Sequence, residues 1–288
     1  MTIWSDLVGS EIRQHSNKFN TRAIQFTSGT KPPLILLHGI GGHAEAYSRN
    51  VRRLGRDFDV YAIDFLWHGY SQKEPFAKEW LPLLGEQVID FIDGLGVEKV
   101  FIEGESLGGW VTLWLVLNCP DRIRKMVLNT PAGAAGAIGE AHPEEGRLLL
   151  AQRSKDTLTN LSLETVRKRL EWLMASPDRV TDELVDIRYQ IYADPKTQSS
   201  LSQLYDNSFG LGTSKDYEIT SEELKSIRIP TLVLWTDKNP GTGPESGQRL
   251  AQLIPGAEFH CIMDAAHWPQ WEKAEEHDSV VKDFLLGS

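Results

Sequence analysis

The chain has 288 residues, 41% of them hydrophobic, with 40 acidic against 30 basic side chains and a formal charge of −10. That length supports one substantial core with room for an inserted lobe. The acidic balance and the lack of any Lys/Arg cluster argue against a phosphate-tracking groove, so no nucleic-acid partner is expected.

The start, Met1-Thr2-Ile3-Trp4-Ser5-Asp6, lacks the basic segment and apolar stretch of a secretory signal, and a cytoplasmic location is expected. Strand and helix signals then alternate. The run 34–37 is continuously apolar, as in a strand buried on both faces of a parallel sheet, and 60–63 is another, ending at Asp64. Leu84, Val88, Phe91, Ile92 and Leu95 recur at helical spacing. A strand at 99–103, a helix at 107–118 and a strand at 126–130 follow. This alternation implies parallel strands with helices on both faces. Apolar runs such as 111–117 fall far short of the roughly 20 residues needed to cross a bilayer, so no membrane is expected.

After Pro131 the pattern changes. A small-residue linker, Ala132-Gly133-Ala134-Ala135-Gly136-Ala137, opens a stretch of about 85 residues whose periodicity is helical. Ser162 can cap a helix carrying Leu163, Val166, Leu170 and Leu173, and Thr181 can cap another with Asp182 and Glu183 in its first turn. Alternation resumes with a strand at 231–235, a helix at 244–254, a strand at 257–263 and a helix at 270–286. The reading is an α/β core formed by residues 1–131 and 226–288, interrupted by a helical cap at 132–225.

Gly104-Glu105-Ser106-Leu107-Gly108 lies between the strand at 99–103 and the helix at 107–118. Strand, sharp turn, serine and helix make a nucleophile elbow, with glycines where a Cβ would clash. A nucleophilic serine needs a base, an orienting acid and an oxyanion site. Asp237, just after the strand at 231–235, and His267, after the strand at 257–263, stand in the required chain order. Asp264 competes as the acid but shares His267's loop, so Asp237 is preferred. Leu107 supplies one oxyanion N–H at the helix start, and Ile40 or Gly41 in His38-Gly39-Ile40-Gly41-Gly42 supplies the other. His38, at a strand end, suggests a loop-organising hydrogen bond rather than a second base.

Gly39-Ile40-Gly41-Gly42 lacks the later glycine and the Lys-Ser/Thr pair of phosphate loops. The histidines are scattered, and Cys119 and Cys261 stand alone. No metal, cofactor or disulfide is therefore expected. In the cap, Arg188 shares a helical stripe with Leu184, Ile187 and Ile191. An arginine there needs an anionic or carbonyl partner. An acid of the chain, Asp186 or Asp182, is one candidate; a substrate carboxylate is the other.

The whole chain resembles the α/β-hydrolase superfamily and, within it, the meta-cleavage product hydrolases, which hydrolyse C–C bonds in bacterial aromatic degradation. The resemblance is carried by residues 38–42 with Tyr47-Ser48-Arg49-Asn50, by Gly104-Glu105-Ser106-Leu107-Gly108-Gly109-Trp110 and by the cap segment 183–188. Its narrowest match is His267-Trp268-Pro269-Gln270-Trp271-Glu272-Lys273-Ala274-Glu275-Glu276. The resemblance implies a Ser106–His267–Asp237 triad, Trp268 lining the pocket, and Arg188 holding the carboxylate of an anionic 2-hydroxy-6-oxo-hexa-2,4-dienoate. Glu105 stands where the family often has Asn, Leu107 where it has Met, and Ala46 where it has an oxyanion-loop Asn. Lys238-Asn239-Pro240 follows Asp237 in place of a more frequent acidic residue. A carboxylesterase acting on neutral esters with the same triad is the alternative, and a ligand receptor without turnover is a third reading. The sequence leaves a homo-oligomer open.

Overall fold

The protein is described from a computed structural model, which covers residues 2–139, 143–208 and 212–287. Eight strands form one sheet: β1 (Glu11–Ser16), β2 (Asn20–Phe26), β3 (Pro33–Leu37), β4 (Asp59–Ile63), β5 (Val100–Glu105), β6 (Ile123–Asn129), β7 (Thr231–Thr236) and β8 (Glu258–Ile262). Their order is β1-β2-β4-β3-β5-β6-β7-β8. β2 runs antiparallel to β1 and β4, and every other pairing is parallel. Every residue of β5 and β7 is buried, because helices cover both faces and neither face needs a polar alternate.

The expected parallel core is present, but the hairpin β1–β2 adds strands that apolar runs did not reveal. β1 reads Glu-Ile-Arg-Gln-His-Ser and lies exposed at the sheet edge, with Ile12 62% accessible. An edge strand packs little apolar surface, so it leaves little hydrophobic signal.

The helix Leu107–Asn118 is buried almost all round, against the sheet and against the helix Trp80–Gly94. A Cβ on Gly85 would collide with the Trp114 ring, so glycine sets the approach of these two helices. Between β6 and β7 lie the helices Pro143–Thr159, Leu163–Glu171, Asp182–Ala193, Pro195–Ser208 and Ser221–Ser226. Ser162 caps the second of them through the Thr165 N–H, and Thr181 caps the third through the Leu184 N–H, as their positions before apolar stripes imply. Leu163 faces outward instead of joining the buried Val166 and Leu170. No helix among the described residues is long and apolar enough to cross a membrane.

One buried polar network ties the sheet to the C-terminal helix Ala274–Leu286. Glu103, in mid-strand, takes His277 Nε2 at 2.8 Å and the Asn129 amide at 3.2 Å, while Asp278 meets His277 Nδ1 at 3.0 Å. Burial alone would lower the His277 pKa, but the Glu103 charge and the Asp278 bond outweigh it and push it up to about 10.

Candidate active site

The parallel strands end together, and the loops leaving β3, β5, β7 and β8 meet over a single cavity. Ser106 stands at its floor with φ 53°, a left-handed value rare for a residue with a side chain. The turn is held by its backbone: Ser106 donates to Asn129 O at 3.1 Å, and its carbonyl accepts from Ala132 and Trp110. A Cβ on Gly104 would strike the Gly108 carbonyl, and one on Gly108 would strike the Leu37 carbonyl. The glycines are there because the strand, elbow and helix pass within backbone contact. Thr130, on the same cavity, also has a positive φ of 40°, and backbone strain held by its surroundings in this way is what active sites store.

Ile40, Leu107 and Trp268 line the cavity with Ser106 and His267. Leu107 opens its helix, where the first N–H groups lack intrahelical acceptors, so its N–H can meet an oxyanion. Gly41 is not on the wall; its carbonyl accepts the Tyr192 hydroxyl at 2.8 Å, and the loop faces the cavity with Gly39 and Ile40. His38 organises this loop. Its Nδ1 bonds Gly39 O at 2.7 Å and its Nε2 accepts the Phe65 N–H. Burial pushes its pKa down to about 4 against the nearby charge of Asp64, so the ring is neutral at pH 7.

The orienting partner of His267 differs from the sequence expectation. His267 Nδ1 lies 2.7 Å from Asn239 Oδ1. Asp237 forms no hydrogen bond or ion pair with the ring and instead accepts the Ala265 N–H at 3.2 Å. The reason is reach. Thr236, Asp237 and Lys238 bond to Ala266, Ile262 and Ala265, zipping the two loops together, and only beyond them does the chain turn toward the imidazole. Asp264 is no substitute, being bound by Arg179, Lys238 and Lys273, which hold its carboxyl far below the usual range.

Glu105 is the other unexpected neighbour. It is fully buried, its Oε2 accepts the Gly39 N–H at 2.6 Å, and its Oε1 lies 3.1 Å from His267 Nε2 without hydrogen-bond alignment. A Cβ on Gly39 would sit 2.5 Å from that carboxylate, so the glycine leaves the room it occupies. The imidazole therefore lies between a neutral amide oxygen and a carboxylate.

Arg188 is 3% exposed and has no acidic partner among the described residues, since neither Asp186 nor Asp182 pairs with it. Its Nε and Nη2 lack hydrogen bonds, Nη1 reaches only the Tyr192 hydroxyl at 3.4 Å, and the guanidinium lies 5.6 Å from the Trp268 and Tyr192 ring centres. Its charge adds to burial in lowering the pKa of His43 and His68. Arg188 itself is not on the wall of the Ser106 cavity; the arginine there is Arg169. Nothing in the sequence signals a role for Arg169, and Asn239 is marked there only as part of the departure that follows Asp237. The cavity measures about 460 Å³. Among the described residues no group of three or more His, Cys, Asp or Glu side chains could hold a metal ion.

A strained serine at a strand–helix elbow, with a histidine from the last sheet loop beneath an inserted helical lobe, defines a serine α/β hydrolase. The chain belongs to the alpha/beta hydrolase fold family, whose model matches residues 32–274. It is 28% identical over 261 residues to a 2-hydroxymuconate semialdehyde hydrolase of Pseudomonas putida, covering 88% of this chain and 86% of the relative. It is also 28% identical over 285 residues to a 2-hydroxy-6-oxononadienedioate/2-hydroxy-6-oxononatrienedioate hydrolase of Paraburkholderia phymatum, covering 96% and 92%. Its fold matches that of the 2-hydroxy-6-oxo-6-phenylhexa-2,4-dienoate hydrolase of Rhodococcus sp. strain RHA1 with a TM-score of 0.83. That match is at 23% identity and covers 96% of this chain and 99% of the other. The chain thus resembles the meta-cleavage product hydrolases along nearly its whole length.

Proposed function

We propose that the protein hydrolyses a C–C bond in a 2-hydroxy-6-oxo-hexa-2,4-dienoate-type ring-cleavage product. The observation that carries this reading is uncompensated positive charge beside the nucleophile's cavity: Arg188 and Arg169 lie buried in the cap helices with no paired carboxylate among the described residues. A cleft built for neutral esters gains nothing from such groups, whereas an anionic dienoate offsets their desolvation. The names of the relatives point to the same chemistry.

In this reading His267 assists ketonisation of the dienol, taking the 2-hydroxyl proton and returning one to C5, so that the new C2 ketone becomes the electron sink for the later cleavage. Ser106, or a water activated by His267, then attacks the C6 ketone, and the oxyanion meets the N–H groups of Ile40 and Leu107. Collapse breaks the C5–C6 bond, and C5 leaves with the electron pair as a dienol. Where Ser106 is the nucleophile, water releases the acyl group as an acid. Asn239 accepts the Nδ1 proton and fixes the tautomer, as asparagine does in cysteine–histidine–asparagine sites. It carries no charge, so the imidazolium formed during attack is balanced by Glu105.

The test is loss of colour of a panel of ring-cleavage products, beside nitrophenyl esters. Dienoate turnover should exceed ester turnover, and Ser106→Ala should lower it by a factor on the order of 10⁴ while the protein stays folded. Ester hydrolysis without dienoate turnover would assign the site to a carboxylesterase.

A further inference from the structure

The Ser106 cavity has a charged group on its cap side that neither the relatives' names nor the sequence motifs assign. Arg169 belongs to the helix Leu163–Glu171, is 9% exposed and lines the cavity together with Trp172 and Leu173. Its Nη1 has no hydrogen-bond partner, and its Nε reaches only Ser154 Oγ at 3.4 Å, the outer limit of such a bond. It forms no ion pair among the described residues. Glu105, the carboxylate on the cavity wall, has its oxygens at the Gly39 N–H and beside His267. The guanidinium rests over the Trp172 ring, 5.3 Å from its centre, which supports the planar fork. Burial lowers its pKa, the mark of a cation stripped of water without a matching anion.

A buried guanidinium left short of acceptors is costly, and a chain that only needed to fill this wall could use an apolar residue. The remaining cap-side wall is mostly apolar, with Ile138, Trp172 and Leu173, and its polar exception is Ser208, whose buried hydroxyl also has no hydrogen-bond partner. We infer that Arg169 is the centre of an anion subsite on the cap side of the Ser106 cavity, where it receives a carboxylate of the substrate. The occupant is elongated and largely apolar, with its electrophilic carbon at Ser106 and its carboxylate at the Arg169 fork. Arg188 is not on this wall, although its guanidinium lies 5.6 Å from the ring centre of Trp268, which is. The inference rests on the C–C hydrolase reading only for the identity of the carboxylate that is bound.

The test compares hexanoate with hexanamide, near-isosteric ligands differing in charge, by calorimetric titration of the parent, Arg169→Gln, Arg169→Lys and Arg188→Gln proteins. The parent should bind hexanoate at least about 30-fold more tightly than hexanamide, as expected for a desolvated charge pair. Arg169→Gln should abolish the preference. Arg169→Lys, which keeps the charge and loses the fork, should retain only part of it. Arg188→Gln should keep it. If the glutamine variant does not fold, as read from its melting curve, the lysine variant carries the test. An unchanged preference in either Arg169 variant, or no preference in the parent, overturns the inference. So does a preference kept in Arg169→Gln and lost in Arg188→Gln. Failure of the C–C hydrolase reading would show differently: no dienoate turnover, with the hexanoate preference and its dependence on Arg169 intact.

Discussion

Replacing Asn239 by Asp, with and without Glu105→Gln, probes the charge arrangement around His267. In the parent the ring has a neutral oxygen 2.7 Å from Nδ1 and a carboxylate oxygen 3.1 Å from Nε2. Two unit charges 4 Å apart interact by about 4 kcal/mol at an effective dielectric of 20. Removing one member of such a desolvated pair costs about 2–5 kcal/mol, and Glu105→Gln keeps an oxygen for the Gly39 N–H, so the low end applies. Glu105→Gln should therefore lower kcat roughly 30- to 100-fold. Asn239→Asp alone should change kcat by less than about tenfold, because the imidazolium already has one carboxylate beside it. The double variant should recover to within about tenfold of the parent, its charge having moved from Nε2 to Nδ1. The coupling between the two sites should be about 1.5–3 kcal/mol, within the range for contacting groups. Steady-state kcat on the best substrate reads the effect. The rate of Ser106 labelling by an organophosphate reads it without reference to substrate. Additive losses, or a harmless Glu105→Gln, would refute the charge-transfer argument. Asp237→Asn serves as the control and should stay within a few-fold of the parent, since Asp237 bonds only the loop backbone among these groups.

Two stability predictions follow from packing and titration. Gly108→Ala should destabilise the fold by about 3 kcal/mol or more, because its Cβ meets the Leu37 backbone, which cannot swing away; a denaturant midpoint that barely moves would mean the elbow is looser than described. His277, pushed up to about 10, keeps its proton from pH 6.5 to 10 while the unfolded chain loses its own. Its contribution is thus complete below pH 6.5 and is lost as pH rises through 10, by up to about 1.4 kcal/mol per pH unit. The melting temperature should fall across this window in the parent and fall less in His277→Gln; parallel curves would remove His277 as the cause. His38, pushed down to about 4, acts in the opposite direction: its contribution is complete above pH 6.5 and is lost as pH falls toward 4.

Much of the architecture was legible because its strands are buried on both faces. Residues 34–37, 60–63 and 231–235 carry continuous apolar runs, and they fall within β3, β4 and β7. The caps at Ser162 and Thr181 were legible because one hydroxyl position determines a helix start. The hairpin β1–β2 was not. Its edge strand is polar, and the pairing that orders it is backbone hydrogen bonding, which leaves no compositional trace. The meeting of Ser106 and His267 at one cavity was legible for a different reason, since each follows a recognisable strand at a position where a parallel sheet presents its loops.

The orienting partner of His267 shows why the site's remaining details were hidden. A sequence ranks candidates by chemical type, and by that measure Asp237 outranks an asparagine two positions further on. Placement depends on where the loop leaves the sheet. Here the first residues after β7 bond to the backbone of residues 262–266, so Asp237 serves that seam while Asn239 arrives at the imidazole. Losing a carboxylate at Nδ1 would leave the imidazolium unsupported were no other acid near it. Glu105, the elbow residue just before Ser106, is such an acid, and the absent side chain of Gly39 gives it space. The sequence departures at Glu105 and at Lys238-Asn239-Pro240 are thereby joined by geometry: each faces one nitrogen of the same ring, and neither can be interpreted without the other.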